Sequence, residues 1–173
     1  AIINANSMRD EVAKVLHCLH PLTQEELKNN LVLGQYVKAE INGETVAGYL
    51  QEKGVPEDSN TETYMALRCE IDNWRWAGVP FYLRTGKRLA GRTAEIVLNF
   101  KPQPDGGKLY AAVPNRIVIS LQPQETVRVR LAVKAVGSDR TVPAEMVLDL
   151  AQAAAGRRAE AYELLLHEVI DGR

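Results

Sequence analysis

Residues 71–92 read IDNWRWAGVPFYLRTGKRLAGR. The stretch starts on the last residue of an alternating apolar run and ends in a basic turn. Asp72 and Asn73 suit the N-cap of a short helical turn, so residues 73–77 are expected to form one. Gly78-Val79-Pro80 breaks that turn and sends the chain into an extended segment at 81–84. Thr85-Gly86-Lys87 follows, and Gly86 permits a tight turn or a close backbone approach. Trp74 and Trp76 read as packing anchors; an aromatic ligand platform is the sharper alternative.

Outward from this stretch the period is two. On its N-terminal side Thr63, Met65, Leu67, Cys69 and Ile71 alternate with Tyr64, Ala66, Arg68 and Glu70. That is a strand with one dry face and one wet or partner-covered face. On its C-terminal side Ala94, Ile96, Leu98 and Phe100 form one dry row. Ile117, Ile119 and Leu121 form another, after a loop at 102–114. Val127, Val129, Leu131 and Val133 alternate with Arg128, Arg130, Ala132 and Lys134, and the basic members read as a solvated face. A last strand at 146–150 precedes a helix at 158–170, with Ala161, Tyr162, Leu165, Leu166 and Val169 on its core face.

Further upstream, Ser7 suits an N-cap for a helix over 8–19 with Val12, Val15, Leu16 and Leu19 on one face, stopped by Pro21. Thr23 and Glu26 form a capping box for a second helix that runs to about Lys28. Segments 35–41 and 45–49 flank Asn42-Gly43, a hairpin signal. Segment 51–60 is polar, carries Gly and Pro, and reads as a surface loop. Consecutive alternating strands with few helices between them argue against βαβ units. The expected class is α+β, a mainly antiparallel sheet with helices packed on one face, in a single domain over 1–173.

Composition narrows the function classes. The chain has 173 residues, 46% hydrophobic and 25% charged, with a formal net charge of −1. No strong global field favours nucleic acid or an anionic membrane, and the sheet rows lack interleaved aromatics for base stacking. No apolar run approaches the roughly 20 residues that span a bilayer. The first residues lack the layout of a secretory signal, so a cytoplasmic location is expected. Cys18 and Cys69 read as two buried free thiols, not a disulfide framework.

The chemistry carried by these residues is sparse. His17 and His20 suit pairing with the dipole at the end of the first helix, and His167 reads as a helix residue. No cluster at metal-ligand spacing, no glycine-rich dinucleotide turn, no phosphate-binding loop and no nucleophile elbow occur. What remains is basic. If the strands before and after the turn pair, Lys87 and Arg92 converge at one loop, a natural site for a phosphate ester. Arg84, Lys87, Arg88 and Arg92 lie so close in sequence that a solvated basic loop is the stronger reading from spacing alone.

A resemblance changes that ranking. SMRDEVAKVL at 7–16, GQY at 34–36, TET at 61–63 and IDNWRWAGVPFYLRTGKRL at 71–89 resemble the glucose-6-phosphate dehydrogenase family. So do NRIVISLQP at 115–123 and AYELLL at 161–166. The resemblance runs in order from about residue 6 onward, and its long block is highly specific; the 102–114 loop departs from the family. It implies oxidation of glucose 6-phosphate at C1 to 6-phosphogluconolactone, with hydride passing to NADP. It implies that Lys87 and Arg92 contact glucose 6-phosphate, Arg92 standing where some members have lysine. It assigns Arg84 weakly to a second, structural NADP.

The family's Rossmann domain, its DHYLGK motif and its histidine general base have no counterpart among these residues. The chain therefore looks like the later part of the family's C-terminal domain, and alone it is expected to be inactive. Assembly as a homodimer or homotetramer through the sheet is implied. A noncatalytic sugar-phosphate-binding or assembly module is the alternative.

Overall fold

The computed structural model describes residues 5–41, 43–101, 114–138, 140–150, 166 and 169–170. Strand pairing is antiparallel throughout and helices are few, which is the expected α+β class. Among the described residues the strands divide among three sheets rather than forming one. The chain separates into two compact units, Ala1–Gly91 and Arg92–Arg173.

The first unit opens with α1 (Ala5–His17) and α2 (Gln24–Asn30). Ser7 lies inside α1 rather than capping it. The helix ends at His17, ahead of Pro21, because the following residues dock on another segment. Leu19 bridges to Ile71, the His20 N–H donates to the Glu70 carbonyl at 3.0 Å, and the Asp72 N–H donates to the Cys18 carbonyl at 2.7 Å. The expected apolar face of α1 is exposed, with Val12 and Leu16 more than half accessible. The capping box of α2 forms as read. Thr23 Oγ1 accepts from the Glu26 N–H at 3.3 Å, and the Glu26 carboxylate accepts from the Thr23 N–H at 2.9 Å. The Thr23 N–H first, and then the Thr23 hydroxyl, which donates to the same carboxylate at 2.8 Å, hold the Glu26 carboxyl below its ordinary pKa.

α2 runs directly into β1 (Leu31–Gly34), a strand absent from the sequence reading, and lies against β1 and β4 (Tyr64–Cys69). With β5 (Phe81–Gly86) these make a three-stranded sheet in the order β1-β4-β5. Leu31 pairs with Leu67, which pairs with Leu83, and Leu33 pairs with Met65. Directly opposed residues share a face, so these side chains form the apolar side of the sheet. Cys69 and Ile71, at the end of that row, are buried. β2 (Ala39–Ile41) and β3 (Glu44–Val46) form a separate hairpin. Ile41 pairs with Glu44, so the connection is the expected two residues. Gly43 has φ +83°, the left-handed value such turns demand; Asn42 lies outside the described residues.

Among its described residues the second unit holds a four-stranded sheet: β6 (Ala94–Asn99), β7 (Arg116–Gln122), β8 (Thr126–Lys134) and β9 (Thr141–Asp149), in that order. The register aligns Ile96, Ile119, Val127 and Leu148 across all four strands, and Leu98, Ile117, Val129 and Met146 beside them. The dry rows read from sequence therefore meet on one face. That face is open: Ile96 is 51% exposed and Met146 60%. Val118, on the opposite face, is the buried residue among those described in this unit. β9 starts at Thr141, five residues before the expected start, and contains Pro143, which an edge strand tolerates.

The basic row of β8 is not simply solvated. Arg128 and Arg130 are half-buried; Arg128 donates to Ser120 Oγ at 3.2 Å and Arg130 pairs with Glu145 across the strands. Of the expected helix at 158–170, only Leu166, Val169 and Ile170 are described, and they are helical and exposed. The loop at 102–113 also lies outside the described residues.

Candidate functional site

The basic turn is built from strand ends. Gly86 closes β5 opposite Tyr64, and a Cβ placed on it would stand 2.8 Å from the Tyr64 ring. Glycine is needed here for close packing. The Lys87 N–H donates to the Thr63 carbonyl at 2.8 Å. Thr63 is held in turn: its N–H donates to the Gly34 carbonyl at 2.9 Å, and its Oγ1 accepts from the Tyr36 N–H at 3.0 Å. The blocks at 34–36, 61–63 and 85–87 thus meet at one threonine.

Arg88 follows with φ +53°, the left-handed region, which costs a non-glycine residue roughly 1–2 kcal/mol. Its guanidinium donates to Glu52 Oε1 at 2.8 Å and lies 5.9 Å from the Tyr36 ring centroid. The Tyr36 hydroxyl donates to the same Glu52 oxygen at 3.3 Å, and the Tyr36 ring packs edge-on against Tyr49. Arg88 is therefore occupied by the protein itself. Lys87, Arg84 and Arg92 are exposed, and among the described residues none of their charged groups makes a hydrogen bond or ion pair. Spacing alone did not separate these four cations; their partners do. Thr63, Tyr36, Glu52 and Arg88 were missed as site residues, because nothing in the sequence links Glu52 to a residue 36 positions away.

The pairing that would bring Lys87 and Arg92 together at one loop does not form. β5 pairs with β4, whereas β6 pairs with β7. Register follows the apolar rows: Ile96 and Leu98 of β6 match the aliphatic rows of β7 and β8, while Arg84 and Thr85 of β5 do not. Lys87 belongs to the first unit and Arg92 opens the second. Arg84 stands opposite Ala66 on β4. Arg68, also on that face of the sheet, is engaged by Glu70 at 2.8 Å and Asn30 at 3.2 Å.

The helical turn forms where Asn73 was expected to cap it. Asn73 Oδ1 accepts from the Arg75 and Trp76 N–H groups at 3.1 and 2.9 Å. Trp76 packs edge-to-face on Phe81 with centroids 5.4 Å apart and so acts as an anchor. Trp74 does not: it is 90% exposed, with Arg75 over its ring at 5.7 Å. Two residues apart on a helical turn, the two indoles point away from each other.

His20 is not a helix-end residue either. Its Nδ1 lies 2.8 Å from Asp72 Oδ2 and its Nε2 lies 3.9 Å from Glu26. The Asp72 hydrogen bond, then the Asp72 charge, raises its pKa above the ordinary histidine value. His17 sits in the last turn of α1 as expected, and His167 is outside the described residues. Cys69 is buried, which pushes its thiol pKa up; Cys18 is only half-buried, and both are free. Among the described residues no group of three or more His, Cys, Asp or Glu side chains is placed to hold a metal ion, and no helix is long and apolar enough to cross a membrane.

Comparison with known proteins fits this frame. The family model described as glucose-6-phosphate dehydrogenase, C-terminal domain, matches residues 1–173. The glucose-6-phosphate 1-dehydrogenase of Aggregatibacter actinomycetemcomitans is 56% identical over 172 residues, covering 99% of this chain and 35% of the relative. That of Mycolicibacterium smegmatis is 45% identical, covering 98% of this chain and 35% of its own length. A solved glucose-6-phosphate dehydrogenase in complex with its substrate glucose-6-phosphate superposes with a TM-score of 0.74 at 30% identity. It covers 95% of this chain and 33% of that structure. The crystal structure of the Mycobacterium avium enzyme gives a TM-score of 0.71 at 31% identity, over 98% of this chain and 33% of that one. The chain thus spans about a third of the length of its relatives, and it belongs to the glucose-6-phosphate dehydrogenase C-terminal domain family.

Proposed function

We propose that the whole enzyme to which this chain belongs oxidises glucose 6-phosphate to 6-phosphogluconolactone with reduction of NADP. In this reading Lys87 and Arg92 contact glucose 6-phosphate. The observation that carries it is the state of Lys87. Its backbone is pinned to Thr63 while its ammonium is exposed and unpaired among the described residues. A cation with a fixed root and a free head suits an oxyanion ligand, because the backbone part of the ordering cost is met before binding.

NADP, when bound, supplies the hydride acceptor. The described residues do not form a dinucleotide cradle. Such a cradle needs a glycine-rich turn at a helix N-terminus, and at α2 the Glu26 carboxylate already occupies that end. Arg84 offers one exposed guanidinium, and Arg68 on the same face is already engaged by Glu70 and Asn30. The cofactor cradle and the general base belong, in this reading, to the part of the enzyme these residues do not span. The 173-residue chain supplies substrate contacts and an assembly surface. The open aliphatic face of the four-stranded sheet supports a homodimer or homotetramer through that sheet.

The test is a paired assay. The full-length protein is expected to reduce NADP when given glucose 6-phosphate, and residues 1–173 alone to show no reduction. A full-length protein inactive on glucose 6-phosphate, or an active isolated chain, would overturn this division of labour.

A further inference from the structure

We infer that Arg88, with Glu52 and Tyr36, is a positioning residue that holds the Lys87 turn in its substrate-binding geometry. The inference rests on the reading of Lys87 as a glucose 6-phosphate contact and adds a device behind it.

Three observations carry the inference. Arg88 takes the left-handed conformation, φ +53°, immediately after Lys87, although it has a Cβ that disfavours it. Such a conformation persists where surrounding structure holds it. The holding contacts are visible: Glu52 Oε1 accepts from Arg88 Nη2 at 2.8 Å and from the Tyr36 hydroxyl at 3.3 Å, and the guanidinium lies against the Tyr36 ring. Tyr36 is in turn fixed, its N–H on Thr63 and its carbonyl accepting from the Tyr49 N–H at 2.9 Å.

Lys87 is therefore clamped on both sides. Before it, Gly86 packs on Tyr64 and its own N–H is tied to Thr63; after it, Arg88 is tethered to Glu52. Glu52 also neutralises Arg88, the cation next to Lys87 in sequence, and leaves the Lys87 head free. A root fixed in this way narrows the region the ammonium can reach, and a small misplacement of a binding group is costly.

The experiment uses the full-length enzyme with Arg88→Ala, Glu52→Gln, the double variant and Lys87→Ala, under steady-state kinetics. Arg88→Ala and Glu52→Gln are each expected to raise KM for glucose 6-phosphate about tenfold with kcat nearly unchanged, the signature of lost uniform binding. KM for NADP is expected to stay the same. The double variant is expected to be no worse than either single variant, because both break one tether. Glu52→Gln is isosteric at a surface site, so it reports even where Arg88→Ala folds poorly. If Lys87→Ala raises KM while Arg88→Ala and Glu52→Gln leave it unchanged, the positioning role is refuted and the substrate contact stands. If Lys87→Ala leaves KM unchanged, the substrate contact and the positioning role fall together. Fully additive effects in the double variant also contradict a shared tether.

Discussion

The Lys87 N–H donates to the Thr63 carbonyl at 2.8 Å. That bond joins the end of β5 to the residue just before β4, and Thr63 passes the restraint on to Gly34 and Tyr36. Three sequence blocks that are far apart in the chain are thereby fixed around one turn. The exposed ammonium of Lys87 stands on this braced backbone.

Thr63→Val keeps the side-chain volume and removes the acceptor for the Tyr36 N–H. A half-buried amide left without a partner costs about 1–3 kcal/mol. Urea denaturation of the full-length enzyme is expected to show that loss, with a raised KM for glucose 6-phosphate. Unchanged stability and KM together would show that Thr63 is not the hub.

Gly86→Ala places a methyl group 2.8 Å from the Tyr64 ring. The ring or the turn must shift, at a cost of roughly 1–3 kcal/mol typical of overpacking. Thermal unfolding should report the loss, and weaker glucose 6-phosphate binding should accompany it. Tolerance of alanine at both levels would contradict the close approach.

His20 and Asp72 predict a pH dependence whose sign is fixed. Folding raises the His20 pKa through Asp72 first, with Glu26 and Glu70 adding smaller attraction. The stabilisation is complete below the ordinary histidine value of 6.5 and fades as the pH rises through the raised value. Wild type is expected to exceed Asp72→Asn in stability by more at about pH 6 than at about pH 9. A gap that widens with pH would reverse the account. Both groups are exposed, so the gap should shrink in high salt as well.

The aliphatic face of the second unit predicts an assembly defect. Met146→Lys and Leu148→Lys place charges on side chains that are 60% and 54% exposed. Sedimentation of the full-length enzyme should shift to smaller species, because a charge buried at an interface without a partner is strongly unfavourable. Unchanged sedimentation would move the interface elsewhere.

Strand identity was legible wherever alternation ran long. The rows of β4, β6, β7 and β8 fell where the apolar residues pointed, and the Thr23–Glu26 box and the Asn42-Gly43 hairpin were readable from local chemistry. β1 escaped because Leu31-Val32-Leu33-Gly34 is short, follows a helix directly and does not alternate. The first half of β9 was hidden by Pro143, which only an edge strand accommodates. Whether β5 pairs with β6 is open from sequence adjacency; the aliphatic rows select β7 for β6. The braces of the site were invisible for a related reason. Lys87 and Arg92 stand out as residues, but the Glu52–Arg88 tether and the Thr63 hub are long-range contacts without any local signal. Trp74 and Trp76 look equivalent in sequence, and only the direction of the turn separates the anchor from the exposed ring.

The most direct test of the central claim is a titration of glucose 6-phosphate into full-length wild type, Lys87→Ala and Arg92→Ala. Losing a charge-assisted hydrogen bond costs about 1.5–3 kcal/mol, so each variant is expected to bind roughly tenfold or more weakly. Unchanged affinity in both variants would contradict the assignment of this basic turn to the substrate.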